Sequence, residues 1–180
     1  RSSDLFNTRC QIAEMFDVWG PECVAFTSND TEALNIALQG TLHPEEETIH
    51  AICTEMDHNS VLRPLYRLEK KGMELTILPA DRKGRISLTE LEAAIRPETK
   101  VIVCTHASNL TGNLNDIHAI GEIAQKHQKL FIVDAAQTAG VFPISMKKDH
   151  IDILCFSGHK GLMGPQGTGA ICVRPGVSVE

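Results

Sequence analysis

Two stretches of this chain have almost no polar side. Leu130, Phe131, Ile132 and Val133 run without interruption into Asp134, and residues 151–156, apolar but for Asp152, run into Ser157, Gly158, His159 and Lys160. A strand that alternates apolar and polar residues can face water on one side, whereas one that is apolar at nearly every position must be covered on both. Such strands belong in the middle of a parallel sheet with helices on each face. The constraint extends to what each strand delivers. A carboxylate that follows a buried strand needs a partner. A lysine in the same place is expected to lose basicity through desolvation and so to become an amine nucleophile at neutral pH.

The rest of the chain alternates in the same way. Helical spacing predicts helices over 4–19, 31–38, 58–71, 87–95 and 115–127, and apolar runs predict strands over 22–27, 49–54, 74–78, 100–105, 130–133, 151–156 and 169–174. Gly20 and Pro21 stop the first helix, Gly40 closes the second, and Pro64 falls near the first turn of the third. Ser87 and Glu90 form a capping box for the fourth, and Asn115 or Asp116 caps the fifth. This order is that of an α/β domain with a mostly parallel sheet. With 180 residues, 42% of them hydrophobic, the chain has material for one core and one domain. Both ends look cut. The first helix has almost no lead-in and the seventh strand no covering helix, so residues 1–180 are expected to be a piece of a larger protein.

Composition excludes several classes of function. A net charge of -6, with no basic run longer than two, argues against nucleic acid as the main partner. No apolar stretch approaches the roughly 20 residues of a membrane span, and the first residues carry no signal-peptide pattern. The six cysteines form no close pair, and four of them (Cys53, Cys104, Cys155, Cys172) lie in strand-like runs as small hydrophobes. That pattern predicts a reducing, cytoplasmic setting. The His and Cys spacings match no zinc pattern, so no metal is expected.

In parallel α/β sheets ligands sit outside the carboxyl ends of the strands. After the first strand, Ser28, Asn29, Asp30 and Thr31 open a helix. They read either as a cradle of N–H and hydroxyl groups for a phosphate or as an ordinary cap. An ionised Asp30 repels a phosphate unless it points away. After the second strand, His58 reads as a ring laid flat on an aromatic ligand or as an exposed loop histidine. After the fourth, Asn109 reads as a donor to a ligand hydroxyl or as part of an Asx turn. After the fifth, Asp134 can meet a protonated pyridine nitrogen, an arginine or a helix N-terminus, with Gln137 one helical turn later. After the sixth, Ser157 and His159 can donate to a phosphate while Lys160 reaches a carbonyl carbon. The glycines at 161, 164, 167 and 169 permit tight turns but do not match the nucleotide-binding loop pattern. A phosphate cradle, a flat ring, an amide, a carboxylate and an amine at successive strand ends are together the set that a pyridoxal phosphate site uses.

Residues 26–35, 57–64, 105–112, 133–138 and 156–161, followed by 164–167, resemble in order the class-V family of pyridoxal-phosphate-dependent aminotransferases, and within it the cysteine desulfurase and selenocysteine lyase group. The resemblance implies the large domain of the aspartate-aminotransferase-like fold (fold type I): an α/β domain with a seven-stranded, mostly parallel sheet, helices on both faces, and the seventh strand antiparallel. It implies pyridoxal 5'-phosphate as cofactor, with Lys160 as the Schiff-base lysine that later carries the Cα proton and Asp134 as partner of the pyridine nitrogen. It places His58 on the ring, Gln137 and Asn109 near the ring hydroxyl and substrate, and Thr31, Ser157 and His159 at the phosphate. Where the family usually has Gly-Ala before the phosphate threonine, this chain has Asn29 and Asp30.

The activity so implied is conversion of cysteine to alanine, with the sulfur held as an enzyme persulfide. Transamination and selenocysteine lysis use the same lysine and aspartate, and a non-catalytic scaffold or dimerisation module is the reading from another class. The implied partners are a cysteine-like amino acid, a sulfur-acceptor protein and a second copy of the chain. The small domain, the arginine for the substrate carboxylate and the sulfur-accepting cysteine are expected beyond residue 180, since Cys155 and Cys172 do not match that cysteine. The 180 residues alone are expected to be inactive or nearly so.

Overall fold

The bare apolar strands lie where two-sided burial puts them. In the computed structural model, which describes residues 2–180, seven strands form one sheet. Arg1, the first residue of the segment read above for a leader peptide, lies outside the described residues. The strands are β1 (Val24–Thr27), β2 (His50–Thr54), β3 (Glu74–Leu78), β4 (Thr99–Thr105), β5 (Leu130–Asp134), β6 (Ile153–Ser157) and β7 (Gly169–Val173). Their spatial order is β1-β7-β6-β5-β4-β2-β3. β7 pairs antiparallel with β1 and β6, and every other pairing is parallel. β6 is buried throughout, and β5 is buried except at Leu130, where it begins.

Helices cover both faces. α1 (Ser2–Met15), α4 (Leu88–Ala94) and α5 (Ile117–Lys126) lie on one side. Ala13, Leu91, Ile117 and Ile120 there pack with Ile102, Phe131, Val133, Leu154 and Phe156 of the sheet. α2 (Asp30–Thr41) and α3 (Asn59–Glu69) lie on the other. Leu34, Leu38, Val61 and Leu65 there pack with Val101, Val103, Ile132, Ile153 and Cys155. The period of two along each strand therefore sorts the strand ends as well. Thr105, Asp134 and Ser157 continue the rows of Val103, Ile132 and Cys155, so all three belong to the face covered by α2.

The boundaries depart from the sequence reading where tertiary contacts intervene. α1 ends at Met15 rather than near Trp19. Asp17 takes a left-handed conformation (φ 51°) and the Val18 N–H bonds the Ala13 carbonyl, turning the chain before Gly20 is reached. Gly40 lies inside α2 and does not close it. The missing side chain lets residues 179–180 lie against the helix, where the Glu180 N–H donates to the Gly40 carbonyl at 3.1 Å. Pro64 sits in the second turn of α3, not the first, where it cannot donate to the Ser60 carbonyl. β6 begins at Ile153, and just before it Asp152 is bonded on both sides: its carboxylate accepts from the Phe131 N–H at 2.8 Å and from Arg174 Nε at 2.5 Å, its N–H donates to the Phe131 carbonyl and its carbonyl accepts the Arg174 N–H. Asp152 thus ties together the lower ends of β5, β6 and β7.

α2 leaves edge strand β1 and crosses β7 and β6 on its way to β2. Its head rests on the start of β7. Gly169 pairs with Thr27 on one side and Ser157 on the other, and a Cβ there would lie 2.7 Å from the Asn29 carbonyl carbon. Only a residue without a side chain lets the head of α2 sit this low. Gly169→Ala is expected to destabilise the protein by roughly 1–3 kcal/mol, the cost of overpacking against backbone. Urea denaturation checks this, and an unchanged midpoint would show that the head of α2 yields freely.

Candidate functional site

The upper ends of the strands enclose a cavity of about 190 Å³, lined by Asp30 and by every residue that the resemblance places at the cofactor. Its floor is buried and consists of Asp30, Ser60, Thr105, Asp134 and Ser157. Its rim is exposed and carries Thr31, His58, Asn109, His159 and Lys160, with Gln137 half-buried between them. A larger cavity of about 530 Å³ lies at the opposite end of the sheet, beside Asp152 and Arg174. Volume does not separate the two. Convergence does, because only the smaller one gathers groups from the ends of β1, β2, β4, β5 and β6.

Local hydrogen bonds hold these groups in place. His58 is the N-cap of α3, and its Nδ1 accepts the Ser60 N–H at 3.2 Å and lies 2.8 Å from the Ser60 hydroxyl. Nδ1 being an acceptor, the hydrogen of the neutral ring sits on Nε2. The Asp134 carbonyl accepts the His106 N–H at 2.9 Å, and the buried His106 ring contacts Thr138 at 2.9 Å. The β4–α5 and β5 loops are thereby locked to each other. Asp134 Oδ1 accepts the Ala136 N–H at 2.9 Å.

Asp57 is a structural carboxylate that the sequence reading passed over. Its Oδ2 accepts the Thr54 N–H (2.7 Å) and hydroxyl (2.9 Å), and its Oδ1 accepts the Thr105 N–H at 2.5 Å. It therefore bridges the ends of β2 and β4, from which His58 and Asn109 are presented. Burial pushes its carboxyl up to about 7, against the pull of those three donors. The signal that found Asp134, a carboxylate directly after an apolar run, does not find Asp57: β2 is buried throughout but carries His50 and Thr54, and Glu55 and Met56 stand between it and Asp57.

Two expectations about the site are corrected. Lys160 is exposed at the rim, so desolvation is not what prepares its amine. Ser28 does not face a ligand: its N–H and hydroxyl both donate to the Glu32 carboxylate, at 2.5 and 2.7 Å, while the Glu32 N–H donates to Asn29 Oδ1 at 2.8 Å. The outer half of the cradle is thus closed as a cap. The cavity side keeps Thr31 and the head of α2, whose first N–H groups have no acceptor within the helix.

Asp30 turns inward. It is 5% exposed, and its carboxyl contacts that of Asp134. Burial is the main cause that pushes Asp30 up to about 8, and the Asp134 charge adds to it, while the Lys160 charge opposes both. Burial also raises Asp134, but the Ala136 N–H, the Lys160 and His58 charges and the Asp30 contact all favour its ionised form. Of the pair, Asp134 ionises first.

The family model for aminotransferase class-V matches residues 2–180. The chain belongs to the class-V aminotransferase family. Among curated relatives of this class-V chain is the cysteine desulfurase IscS of Vibrio atlanticus, 39% identical over 93% of the chain and 41% of the relative. Among solved structures, an apo cysteine desulfurase from Thermococcus onnurineus superposes with a TM-score of 0.90 at 34% identity, covering 95% of this chain and 42% of that one. SspA in complex with cysteine superposes with a TM-score of 0.89 at 33% identity, covering 97% and 51%. The class-V chain therefore spans about two fifths of the length of the curated relatives it matches.

The buried carboxyls make the stability of this class-V domain sensitive to mutation and to pH. Asp57→Ala leaves the Thr54 and Thr105 N–H groups without their acceptor and is expected to cost roughly 3 kcal/mol, read as a lower urea midpoint. Asp30 and Asp57 keep protons, up to about 8 and about 7, that the unfolded chain releases near 3.8. Their contribution is fully present below 3.8 and is lost as pH rises through those two values. Wild-type stability is expected to fall across that window, and the fall should be shallower in Asp30→Asn.

Proposed function

We propose that this chain is the pyridoxal-phosphate-binding part of a cysteine desulfurase-like enzyme. One observation carries the reading: an amine, Lys160, and a buried carboxyl, Asp134, share one small cavity with the head of a helix. The donor set suits the cofactor. Asp134 would accept the pyridine N–H. His58, its Nδ1 committed to Ser60, would offer a ring face. Gln137 and Asn109 would meet the ring hydroxyl, and Thr31, Ser157, His159 and the first N–H groups of α2 the phosphate. Asp30, held neutral up to about 8, does not oppose the phosphate at neutral pH.

When bound, pyridoxal phosphate supplies an electron sink for negative charge that develops at the substrate Cα. The chain's own residues do the rest. Lys160, exposed at the rim, would hold the cofactor covalently and carry the proton to and from Cα. The Asp134 carboxylate would keep the ring nitrogen protonated, and His58 would offer its face to the ring. Cysteine is the proposed substrate, because SspA, a relative by structure, is described with cysteine bound.

The sulfur acceptor is proposed to be a cysteine in a mobile, exposed segment of the whole protein or of a partner protein. Cys155 and Cys172 are unsuited to accepting sulfur, because both are buried and burial pushes both thiols far up, Cys172 to about 12. A second copy of the chain is proposed to complete the enzyme as a homodimer. The six unpaired cysteines suit a reducing, cytoplasmic compartment.

The decisive experiment adds pyridoxal phosphate, reduces with borohydride and maps the modified peptide by mass spectrometry. The expected result is a single adduct on Lys160 with a visible absorbance band before reduction, both lost in Lys160→Ala. An adduct elsewhere, or one that survives the substitution, would sink the assignment. Alanine and sulfide released from cysteine by the full-length protein would distinguish desulfuration from transamination.

A further inference from the structure

The cavity floor holds a second carboxyl to which the proposed function gives no role. Asp30 occupies the first position of α2, is almost fully buried, and sends its carboxyl into the cavity against Asp134. Its Oδ1 has no hydrogen-bond donor among the described residues. An ionised carboxylate left in that position would carry an unsatisfied buried charge beside a second one. Two carboxyls in contact and away from water cannot both ionise cheaply, so one proton is shared between them.

The surroundings decide where that proton sits. Asp134 has a backbone donor, the Ala136 N–H at 2.9 Å, and His58, when its ring is protonated, favours its ionised form. Lys160, in the β6–β7 loop, acts on both carboxyls. Asp57, at the head of α3, lies near enough for the Asp134 charge to raise its own carboxyl, and burial pushes the Cys155 and Cys104 thiols beneath the pair well up. His159 is the other titratable group on the rim. On α2 itself, Glu32 is turned away and committed to Ser28. Asp134, though no more exposed than Asp30, thus has the better-stabilised carboxylate, and Asp30 has only Asp134 to bond among the described residues.

We propose that Asp30 is a positioning residue: it carries the proton of an Asp30–Asp134 carboxyl pair, donates it to Asp134 as a hydrogen bond, and so presents an ionised, oriented Asp134 to the cavity. The pair selects for ligands that bring a cationic N–H to Asp134. It does so without adding a second negative charge beside the phosphate end. The donation is from oxygen to oxygen, and no other group need accept or supply a proton. The effect on cofactor binding rests on the pyridoxal phosphate reading, whereas the pair itself does not.

The test titrates the protein without cofactor, with its aspartates carrying a carbon-13 label, and follows the carboxyl signals by NMR. The wild type is expected to retain a protonated carboxyl that ionises near pH 8. Asp30→Asn should remove that titration. Asp134→Asn, which deletes the like charge, should shift it down by about one pH unit or more. Ionisation of Asp30 in the ordinary carboxylate range would overturn the proposal, as would a midpoint indifferent to Asp134→Asn.

Pyridoxal phosphate affinity at pH 7 then tests the positioning role. Asp30→Asn, whose amide can still donate to Asp134, should bind as the wild type does. Asp30→Leu, which cannot donate, should bind roughly tenfold more weakly, on the scale of one hydrogen bond to a charged group. Equal affinities in the two variants would remove Asp30 from that role. Because the titration is done without cofactor, it still decides on the pair should pyridoxal phosphate fail to bind.

Discussion

Everything in this domain depends on burying both faces of β4, β5 and β6. Their apolar side chains have no solvent-facing alternative, so helices must lie on each side and each connection between parallel strands must run back from one end of the sheet to the other. The same burial forces the polar residues to the strand ends. It also decides, through the two-residue period of the strands, that Thr105, Asp134 and Ser157 all emerge beneath α2. The cavity at the upper edge is thus a consequence of how the core is closed.

Both edges of the sheet are then secured by buried polar groups, in different ways. At the lower edge His50 lies between Thr99 and Thr76, its ring nitrogens 2.6 and 2.8 Å from their hydroxyls, and burial lowers its pKa to about 4. Asp152 joins Phe131 to Arg174 nearby. These groups are fully engaged and serve the framework. At the upper edge Asp57 is equally engaged, but Asp30 and Asp134 satisfy each other and little else. Incomplete satisfaction at one end of an otherwise well-bonded sheet is what singles out the candidate site.

The order of strands and helices was legible in the chain because each element carries its own periodicity and stop signals. The antiparallel place of β7 was legible from the resemblance. Boundaries were less so. The end of α1 is set by a left-handed Asp17, and Gly40 serves as a contact for residues 179–180 instead of a helix stop, which a local reading of glycine cannot reveal. The candidate residues of the site were legible as polar groups after apolar strands. Their exposure was not: Lys160 was expected to be desolvated and stands at the rim, while Asp30, read either as part of a phosphate cradle or as a cap residue, is on the floor.

By itself the sequence determined an α/β sheet with two-sided burial and the set of polar groups at its upper edge, because hydrophobic periodicity and chain order are local properties. Only the tertiary structure decided which of those groups meet. α2 crosses β7 and β6 and rests on Gly169, bringing Asp30 to Asp134 across about a hundred residues of sequence. That encounter turns two separate carboxylates into one proton-sharing pair. No pattern within either segment encodes it, because the energy of a buried charge depends on what lies next to it in space.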